Sequence, residues 1–413
     1  MSLFELCHVN SSTNEESFVG IRADSNGVNV YFPVGYNLPE TEQELRYDIL
    51  HLISILREFS ELKNEAFSLQ NFNTQEDVSF PLSSYIEIID YFMVQNSYFT
   101  EKEHRFNSGK KGRIAWPKTI QSKSAIIQTN GSVIYNDFIL RSSALNEKNI
   151  ITQIHKYCVF ESFSKVGWLF TPYLPEKPAI VRNDKMFLSL LREKLSKTYN
   201  DVEKRLFSAM ISMIEYLDKK TNKMEFCFGT EHFEYIWEKL IDNAFSIKEK
   251  QNYFPRTYWK LHSFRMKKNS ALVPDSIMFH DDKIYVLDAK YYKYGSTASV
   301  TDLPESSSIN KQITYGEYVY FLINFEKQYG KDVPIFNAFI MPFNAMNNLF
   351  GFTDIIVNIG EATGDWKVNG HKYERVQGIL VDTRYLMYHY NGRTQKFLSL
   401  LAQAIEKTQE DRN

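Results

Sequence analysis

The sequence predicts an α/β protein with at least two domains, and three observations lead to this prediction. The C-terminal half alternates helical and strand-like segments, an order typical of a central mixed sheet flanked by helices. Pro172, Pro175 and Pro178 lie close together and predict a linker. At 413 residues the chain is long enough for two or three domains with cores of their own.

We place the domain boundary at residues 172–182. Residues 1–175 then form a separate N-terminal α+β domain, and residues 183–413 form the domain with the mixed sheet. Neither part contains an internal repeat or a low-complexity segment. Each part is therefore expected to fold around its own core.

The N-terminal domain is predicted to combine strands with helices. Residues 17–35 alternate in polarity and carry glycines at turns, which predicts two strands. Thr41-Glu42-Gln43-Glu44 matches a capping box, and the apolar residues after it recur at helical spacing to about Leu62. Further strands are expected around residues 125–127 and 132–135.

The C-terminal domain is predicted from helical periodicity and from short runs of β-branched and aromatic residues. Helices are expected within residues 184–218, from near Thr230, from about Ile309 to Phe325 and from about Thr394 to Lys407. Strands are expected around Asp275, just before Lys290, and at Ile335–Met341 and Gln377–Val381.

Composition and charge indicate a soluble cytoplasmic protein that does not act on membranes. Cys7, Cys158 and Cys227 lie far apart, which argues against a disulfide framework and against a zinc cluster and fits a reducing compartment. No apolar run is long enough to span a membrane, and the N-terminus does not resemble a signal peptide. A net charge of −2 means that any contact with nucleic acid must come from local basic patches.

The stretch Val273–Lys290 contains the residues that most resemble a catalytic site. Two strand-like runs flank the polar turn His280-Asp281-Asp282, which predicts a β-hairpin. Asp275 is expected in the first strand, while Asp288 and Lys290 end the second strand on one face. Metal-assisted phosphodiester hydrolysis needs such a set, because carboxylates hold Mg²⁺ and a lysine orients water or neutralises phosphate charge. The alternative is a surface ion-pair network.

Two helices that flank this stretch offer further site residues. Glu234 and Glu238 are spaced i, i+4 on the upstream helix, and either could face inward or pair with a nearby cation. Glu238 follows the more apolar run and is preferred as the third acid. Gln312 and Tyr315 share a face near the start of the downstream helix, where the alternative is ordinary polar residues of a helix N-terminus.

Basic residues concentrate in two segments. Lys250–Val300 contains nine Lys and Arg against four Asp, interleaved with Tyr and Trp, which suits a track for a phosphate backbone. Residues 105–113 are either a solvated hairpin tip or a loop that contacts DNA or a partner. No nucleotide-binding loop is present, so the chain is not expected to hydrolyse nucleoside triphosphates.

Several of these motifs resemble the LlaJI family of restriction endonucleases, which is similar to McrC, the nuclease subunit of McrBC-type systems. The resemblance lies in Phe228–Glu238, in Pro274-Asp275 with Asp288-Ala289-Lys290, and in Ser308–Tyr318. Gly112–Ile120 also resembles the Gly-x-Ile-x-Trp-x-x-Thr-Ile stretch of these proteins. The resemblance spans most of the chain.

The resemblance implies a PD-(D/E)xK restriction-endonuclease fold for the C-terminal domain and a Mg²⁺-dependent, site-specific endodeoxyribonuclease that cleaves double-stranded DNA in defence against foreign DNA. It implies catalytic roles for five residues and metal binding by the three acids among them: Asp275, Asp288, Lys290, Glu238 and Gln312.

Partners also follow from the resemblance. The N-terminal domain is expected to dock onto a McrB-like, GTP-hydrolysing AAA+ subunit, and a DNA methyltransferase is expected in the same system. Two alternatives stay open: a non-cleaving adaptor subunit of an AAA+ motor, and a stand-alone DNA repair nuclease.

Overall fold

A five-stranded mixed sheet forms the centre of one of the two units into which the chain divides. Unit 1 comprises Met1–Asn73 and Glu225–Asn413, and unit 2 comprises Thr74–Met224. The computed structural model describes residues 2–10, 17–24, 27–66, 80–146, 149–171, 173–219, 226–262, 266–326, 332–367 and 370–407. Within these residues, no helix combines the length and apolar character needed to cross a membrane.

The strands and α-helices are numbered in chain order. The strands are β1 (Cys7–Val9), β2 (Val19–Asp24), β3 (Gly27–Phe32), β4 (Glu101–Gly109), β5 (Ala125–Ile127), β6 (Val133–Tyr135), β7 (Phe138–Asn146), β8 (Phe226–Thr230), β9 (Arg256–Lys260), β10 (Met266–Ala271), β11 (Ser276–His280), β12 (Lys283–Ala289), β13 (Ile335–Phe343), β14 (Ile356–Ala362) and β15 (Val376–Asp382). The helices are α1 (Glu42–Ala66), α2 (Leu82–Gln95), α3 (Trp116–Ser122), α4 (Ile150–Val166), α5 (Asp184–Ser196), α6 (Asp201–Lys219), α7 (Phe233–Phe245), α8 (Tyr294–Thr297), α9 (Ser306–Phe321), α10 (Thr383–His389) and α11 (Gln395–Glu406).

The five-stranded sheet has the order β11-β12-β13-β15-β14. The three central strands β12, β13 and β15 run parallel, and the edge strands β11 and β14 pair antiparallel to their neighbours. Strand β13 is buried at eight of its nine residues, as expected for a central parallel strand covered on both faces. The predicted α/β class, with helices around a mixed sheet, is confirmed for this unit.

Helices cover the sheet on both faces. Tyr315 and Val319 of α9 pack with Ile284 and Val286 of β12 in one hydrophobic cluster. Tyr285 lies between these two residues and therefore points to the opposite face, where its hydroxyl donates to a carboxylate of α11. The sheet is thus the middle layer of a helix–sheet–helix sandwich.

The N-terminal residues of unit 1 pack onto its C-terminal part. Strands β1, β3, β2 and β8 form one sheet in this order, so β2 from the N-terminal segment pairs with β8. Asp48 of α1 is buried, and both of its carboxylate oxygens accept from the guanidinium of Arg384 in α10, at 2.8 and 3.1 Å. Gly35 has φ +74°, and a Cβ there would lie 2.8 Å from the backbone of Phe343. Only glycine permits this close approach.

Unit 2 consists of helices and antiparallel strand pairs. Helices α2, α4, α5 and α6 pack against one another. Strands β4 and β7 form a ladder of nine residue pairs, and β5 pairs with β6, which confirms the strands predicted at 125–127 and 132–135. The basic segment 105–113 covers the end of β4 and the turn that follows it.

The compact units do not coincide with the predicted sequence ranges, because the boundary predicted at residues 172–182 falls inside unit 2. The division into a docking domain, residues 1–175, and a nuclease domain, residues 183–413, stays a prediction. Three further expectations need adjustment. Strand β11 begins one residue after Asp275, α9 begins at Ser306 rather than Ile309, and α7 begins at Phe233 because residues up to Thr230 form β8.

Candidate active site

The β11–β12 hairpin brings the two predicted aspartates of Val273–Lys290 together. Its two-residue loop is Asp281-Asp282, and both residues have positive φ, 47° and 56°. Positive φ at both central residues is typical of a type I′ turn, whose twist matches that of the flanking strands, and Asp tolerates it better than most residues. The hairpin prediction is confirmed. Ser276 pairs with Leu287, which places Asp275 beside Asp288.

Asp275 lies half-buried at the entrance to β11. Its Oδ2 accepts a 2.8 Å hydrogen bond from the Ala289 backbone N–H, which holds the carboxylate against the end of β12. Burial, and after it the nearby carboxylates of Asp288 and Glu238, raise the pKa of Asp275 to about 7. A carboxyl group with this pKa changes its charge at neutral pH.

Asp288 and Lys290 form an ion pair at the end of β12. The Asp288 side chain is only 6% exposed, and its Oδ2 lies 2.6 Å from the Lys290 Nζ. Burial lowers the pKa of Lys290, but attraction to the Asp288 carboxylate outweighs burial, so the pKa is raised overall. The ammonium therefore stays protonated at neutral pH and can supply positive charge, but it cannot accept a proton.

Of the two candidate third acids, Glu238 faces the aspartate pair. Its side chain is half-buried, and burial followed by the Asp288 carboxylate raises its pKa, against the opposing effect of Lys290. Glu234 instead lies 2.8 Å from the Nδ1 of His232, and its side chain is 43% exposed. Helix α7 is anchored by Trp237, whose Nε1 donates to the carbonyl of Ile340 at 3.1 Å.

Gln312 lies in the interior of α9 and contacts the backbone of β12. Its Nε2 donates to the carbonyl of Val286 at 2.7 Å and approaches Asn337 Oδ1 at 3.4 Å. Its Oε1 is buried, and no hydrogen-bond partner for it occurs among the described residues. Tyr315, on the same face of the helix, donates its hydroxyl to the carbonyl of Val273 at 3.2 Å. This face of α9 therefore contacts β12, two residues before Asp288, and the segment that leads into β11.

The donor set fits a hard divalent cation in its chemistry. Asp275 and Asp288 offer carboxylate oxygens. Asp288 and Glu238 help raise the pKa of Asp275, and Asp288 helps raise the pKa of Glu238, which places three carboxylates in one neighbourhood. Across the described residues, however, no three acidic, histidine or cysteine side chains already stand close enough to hold an ion. Asp288 is engaged with Lys290, and Asp275 with a backbone N–H. A cation bound here would relieve the repulsion between carboxylates that helps raise the pKa values of Asp275 and Glu238.

A family model of the LlaJI restriction endonuclease matches residues 18–359. The chain belongs to this family. The predicted resemblance is thereby confirmed, and the match includes all five residues proposed for the site. A comparison with curated proteins found no match.

One solved structure that matches is an assembly from Thermococcus gammatolerans, a half-complex of McrB AAA+ hexamers with bound McrC. The identity is 13% and the TM-score 0.36, and the match covers 94% of this chain and 82% of the other. At this TM-score the likeness supports no conclusion about fold or function.

In this member of the LlaJI family, three polar residues beside the site escaped the sequence analysis. Lys250 donates to Asp242 at 2.6 Å and to the backbone carbonyl of Asp275 at 2.5 Å. Ser276 also donates to Asp242, at 3.2 Å. Asp242 follows Glu238 by four residues on α7, so the i, i+4 spacing could have identified it. Nothing in the sequence distinguishes Lys250 from the other Lys and Arg residues of Lys250–Val300.

Proposed function

We propose that this chain is a Mg²⁺-dependent endodeoxyribonuclease that hydrolyses phosphodiester bonds of double-stranded DNA. The single observation that supports this most strongly is the meeting of Asp275, Asp288 and Lys290 at the end of one buried hairpin. Membership of a restriction endonuclease family supports the same reaction class. A surface ion-pair network is a poor account, because Asp288 is only 4% exposed.

In this proposal, Asp275, Asp288 and Glu238 hold the ion. A bound Mg²⁺ supplies a Lewis acid for the phosphate and lowers the pKa of a coordinated water. Lys290 keeps its proton and offers its ammonium to the negative charge that builds up on the phosphate. Gln312 is a positioning residue in this proposal, since its amide donates to the β12 backbone two residues before Asp288.

The topology of the sheet supports a PD-(D/E)xK architecture for this unit. The antiparallel pair β11–β12 bears the acids, and the parallel neighbours β13 and β15 follow it in the sheet. The Pro274-Asp275 and Asp288-Ala289-Lys290 motifs occupy the entrance of β11 and the end of β12. Because β11 and β12 are antiparallel, these positions place both acids at the same end of a rigid sheet.

We also propose that the chain works with a McrB-like, GTP-hydrolysing AAA+ subunit that docks onto residues 1–175, and that a DNA methyltransferase belongs to the same system in the cytoplasm. The support is the resemblance of Gly112–Ile120 and of the nuclease motifs to McrC-like proteins. The family match extends through most of residues 1–175, from residue 18 onward.

The proposal is tested by incubating the purified full chain with supercoiled plasmid DNA. The assay compares Mg²⁺ with EDTA, and the chain alone with the chain plus its AAA+ partner and GTP. Linear product that requires Mg²⁺, the partner and GTP supports the proposal. Cleavage without partner or GTP would instead identify a stand-alone nuclease. Absence of cleavage under every condition, with partner binding intact, would identify a non-cleaving adaptor.

A further inference from the structure

Strands β9 and β10 form a two-stranded antiparallel ribbon immediately before the candidate site. Lys260 pairs with Met266, Trp259 with Lys267, and Tyr258 with Lys268. We call residues 256–260 and 266–271 the basic ribbon. Its base is closed by a 2.8 Å hydrogen bond from the Leu272 N–H to the Pro255 carbonyl. Five residues of strand extend about 17 Å.

The basic ribbon exposes large side chains on both of its faces. Every residue of β9 is exposed, including Tyr258 and Trp259 at 63% each, and Met266 of β10 is 62% exposed. The register places Tyr258, Lys260, Met266 and Lys268 on one face, and Trp259 with Lys267 on the other. Large aromatic side chains are enriched at contact surfaces, so their exposure among lysines on both faces favours a contact role for the ribbon.

The ribbon is also strongly and uniformly positive. Its four cations are Arg256, Lys260, Lys267 and Lys268, and no acidic residue occurs anywhere between Gln251 and Pro274. Among the residues that the structure describes, none of these four cations forms an ion pair. The ribbon therefore carries positive charge that the described chain does not neutralise, and it suits a polyanion.

At its base, where β9 begins and β10 ends, the ribbon joins residues that contact β11 and α9. On the side of β9, the buried Tyr253 ring meets Phe279 of β11 edge to face, with ring centroids 5.5 Å apart. On the side of β10, the carbonyl of Val273 accepts from the Tyr315 hydroxyl of α9, and Asp275 follows four residues after Ala271. A polyanion held by the ribbon is thus held next to Asp275.

We propose that the basic ribbon is a duplex-DNA clamp that places the phosphate backbone at Asp275, Asp288 and Lys290. The major groove of B-form DNA is wide enough to admit a two-stranded ribbon. In that placement the lysines contact phosphates, while Tyr258 and Trp259 pack against sugars and base edges. The inference rests on the proposed function, because it takes duplex DNA as the substrate of the site.

The test measures binding rather than cleavage. A fluorescent duplex is titrated with the full chain in EDTA, over a series of salt concentrations, by fluorescence anisotropy. The variant Lys260→Ala/Lys268→Ala removes two cations from one face of the ribbon. The matched control, Lys372→Ala/Lys396→Ala, removes two exposed lysines outside it. All these side chains are exposed, and circular dichroism checks that each variant folds.

The expected result is a weaker complex for the ribbon variant, with the slope of log K against log salt smaller by about 2, since each phosphate contact contributes about 0.9. The control keeps the wild-type slope. A ribbon variant that binds like the control overturns the inference, as does a wild-type chain that fails to bind the duplex at low salt or prefers the corresponding single strand.

Failure of the ribbon inference and failure of the nuclease proposal give different results. If the ribbon variant cleaves DNA normally and its DNA binding has an unchanged salt dependence, the clamp inference is rejected and the nuclease proposal stands. If the wild-type chain cuts no DNA but the ribbon variant loses DNA binding, the ribbon is still the DNA-binding element. That result would favour the non-cleaving adaptor over the nuclease.

Discussion

Among the candidate site residues, Asp275 has the most strongly shifted pKa. Its pKa is raised to about 7 because burial disfavours the carboxylate and because Asp288 and Glu238 add negative charge. A carboxyl group whose pKa is higher in the folded state stabilises the fold most at low pH. That contribution is lost as pH rises toward 7. The same rise in pH frees the carboxylate for a cation.

The first prediction concerns this pH dependence. Added Mg²⁺ should raise the melting temperature of the chain more at pH 8 than at pH 6, because protons and the ion compete for Asp275. Thermal unfolding followed by intrinsic fluorescence measures this. Asp275→Asn should remove the difference between the two pH values, whereas Asp282→Asn in the exposed turn should retain it. An equal Mg²⁺ effect at both pH values would exclude Asp275 as a ligand.

A second prediction concerns Lys290. Removing its ammonium leaves the buried Asp288 carboxylate without its 2.6 Å partner. Lys290→Ala should therefore lower the free energy of unfolding by about 3 kcal/mol. The further change of Asp288 to Asn should restore part of that stability. Urea denaturation of the single and double variants checks this. If the single variant were as stable as wild type, Asp288 would not depend on this ion pair.

At the scale of elements, helix α9 supports the β11–β12 hairpin through Gln312. Gln312→Ala removes the amide that donates to the Val286 carbonyl and to Asn337 Oδ1. The variant should therefore lower the free energy of unfolding by about 1–3 kcal/mol. Cleavage should fall through kcat, since the residue positions β12 and does not touch DNA. Asn310→Ala, at an exposed position of the same helix, is the control. A KM effect with unchanged kcat and stability would instead place Gln312 in substrate binding.

The β11–β12 hairpin could be predicted because its signals are local. Its apolar strands and its Asp-Asp turn lie within a few residues of each other, and they determine which side chains share a face. The sequence analysis recognised the charge of the basic ribbon but not its two strands. Strand prediction looks for one buried face, and both faces of β9 are exposed. Strand β14 was missed because Gly360, with φ 135°, interrupts it at a bulge.

At the scale of the whole molecule, the largest difference from the sequence-based expectation is in which segments of the chain form one compact unit. The segment up to residue 73 belongs to the same compact unit as the C-terminal sheet. The contacts responsible, such as Asp48 with Arg384 and β2 with β8, join residues hundreds of positions apart. No local pattern in a single sequence reports such pairings.

The whole-molecule prediction follows from those contacts. A fragment of residues 183–413 lacks β1, β2, β3 and α1, and so exposes the surfaces that they cover in unit 1. It should aggregate or unfold without cooperativity. A fragment of residues 80–219, which contains the helices of unit 2, should melt cooperatively. Circular dichroism and gel filtration measure both. A stable, cooperative fragment 183–413 would support the boundary predicted from the prolines.

The most direct test of the central claim is DNA cleavage by Asp288→Asn in the system reconstituted with Mg²⁺, the AAA+ partner and GTP. The substitution keeps the shape of the side chain and removes the buried charge that would hold the ion. We expect cleavage to fall by at least about a hundredfold, with partner binding retained, while Asp282→Asn cuts like wild type. Cleavage by Asp288→Asn at the wild-type rate would contradict the assignment of this hairpin as the active site.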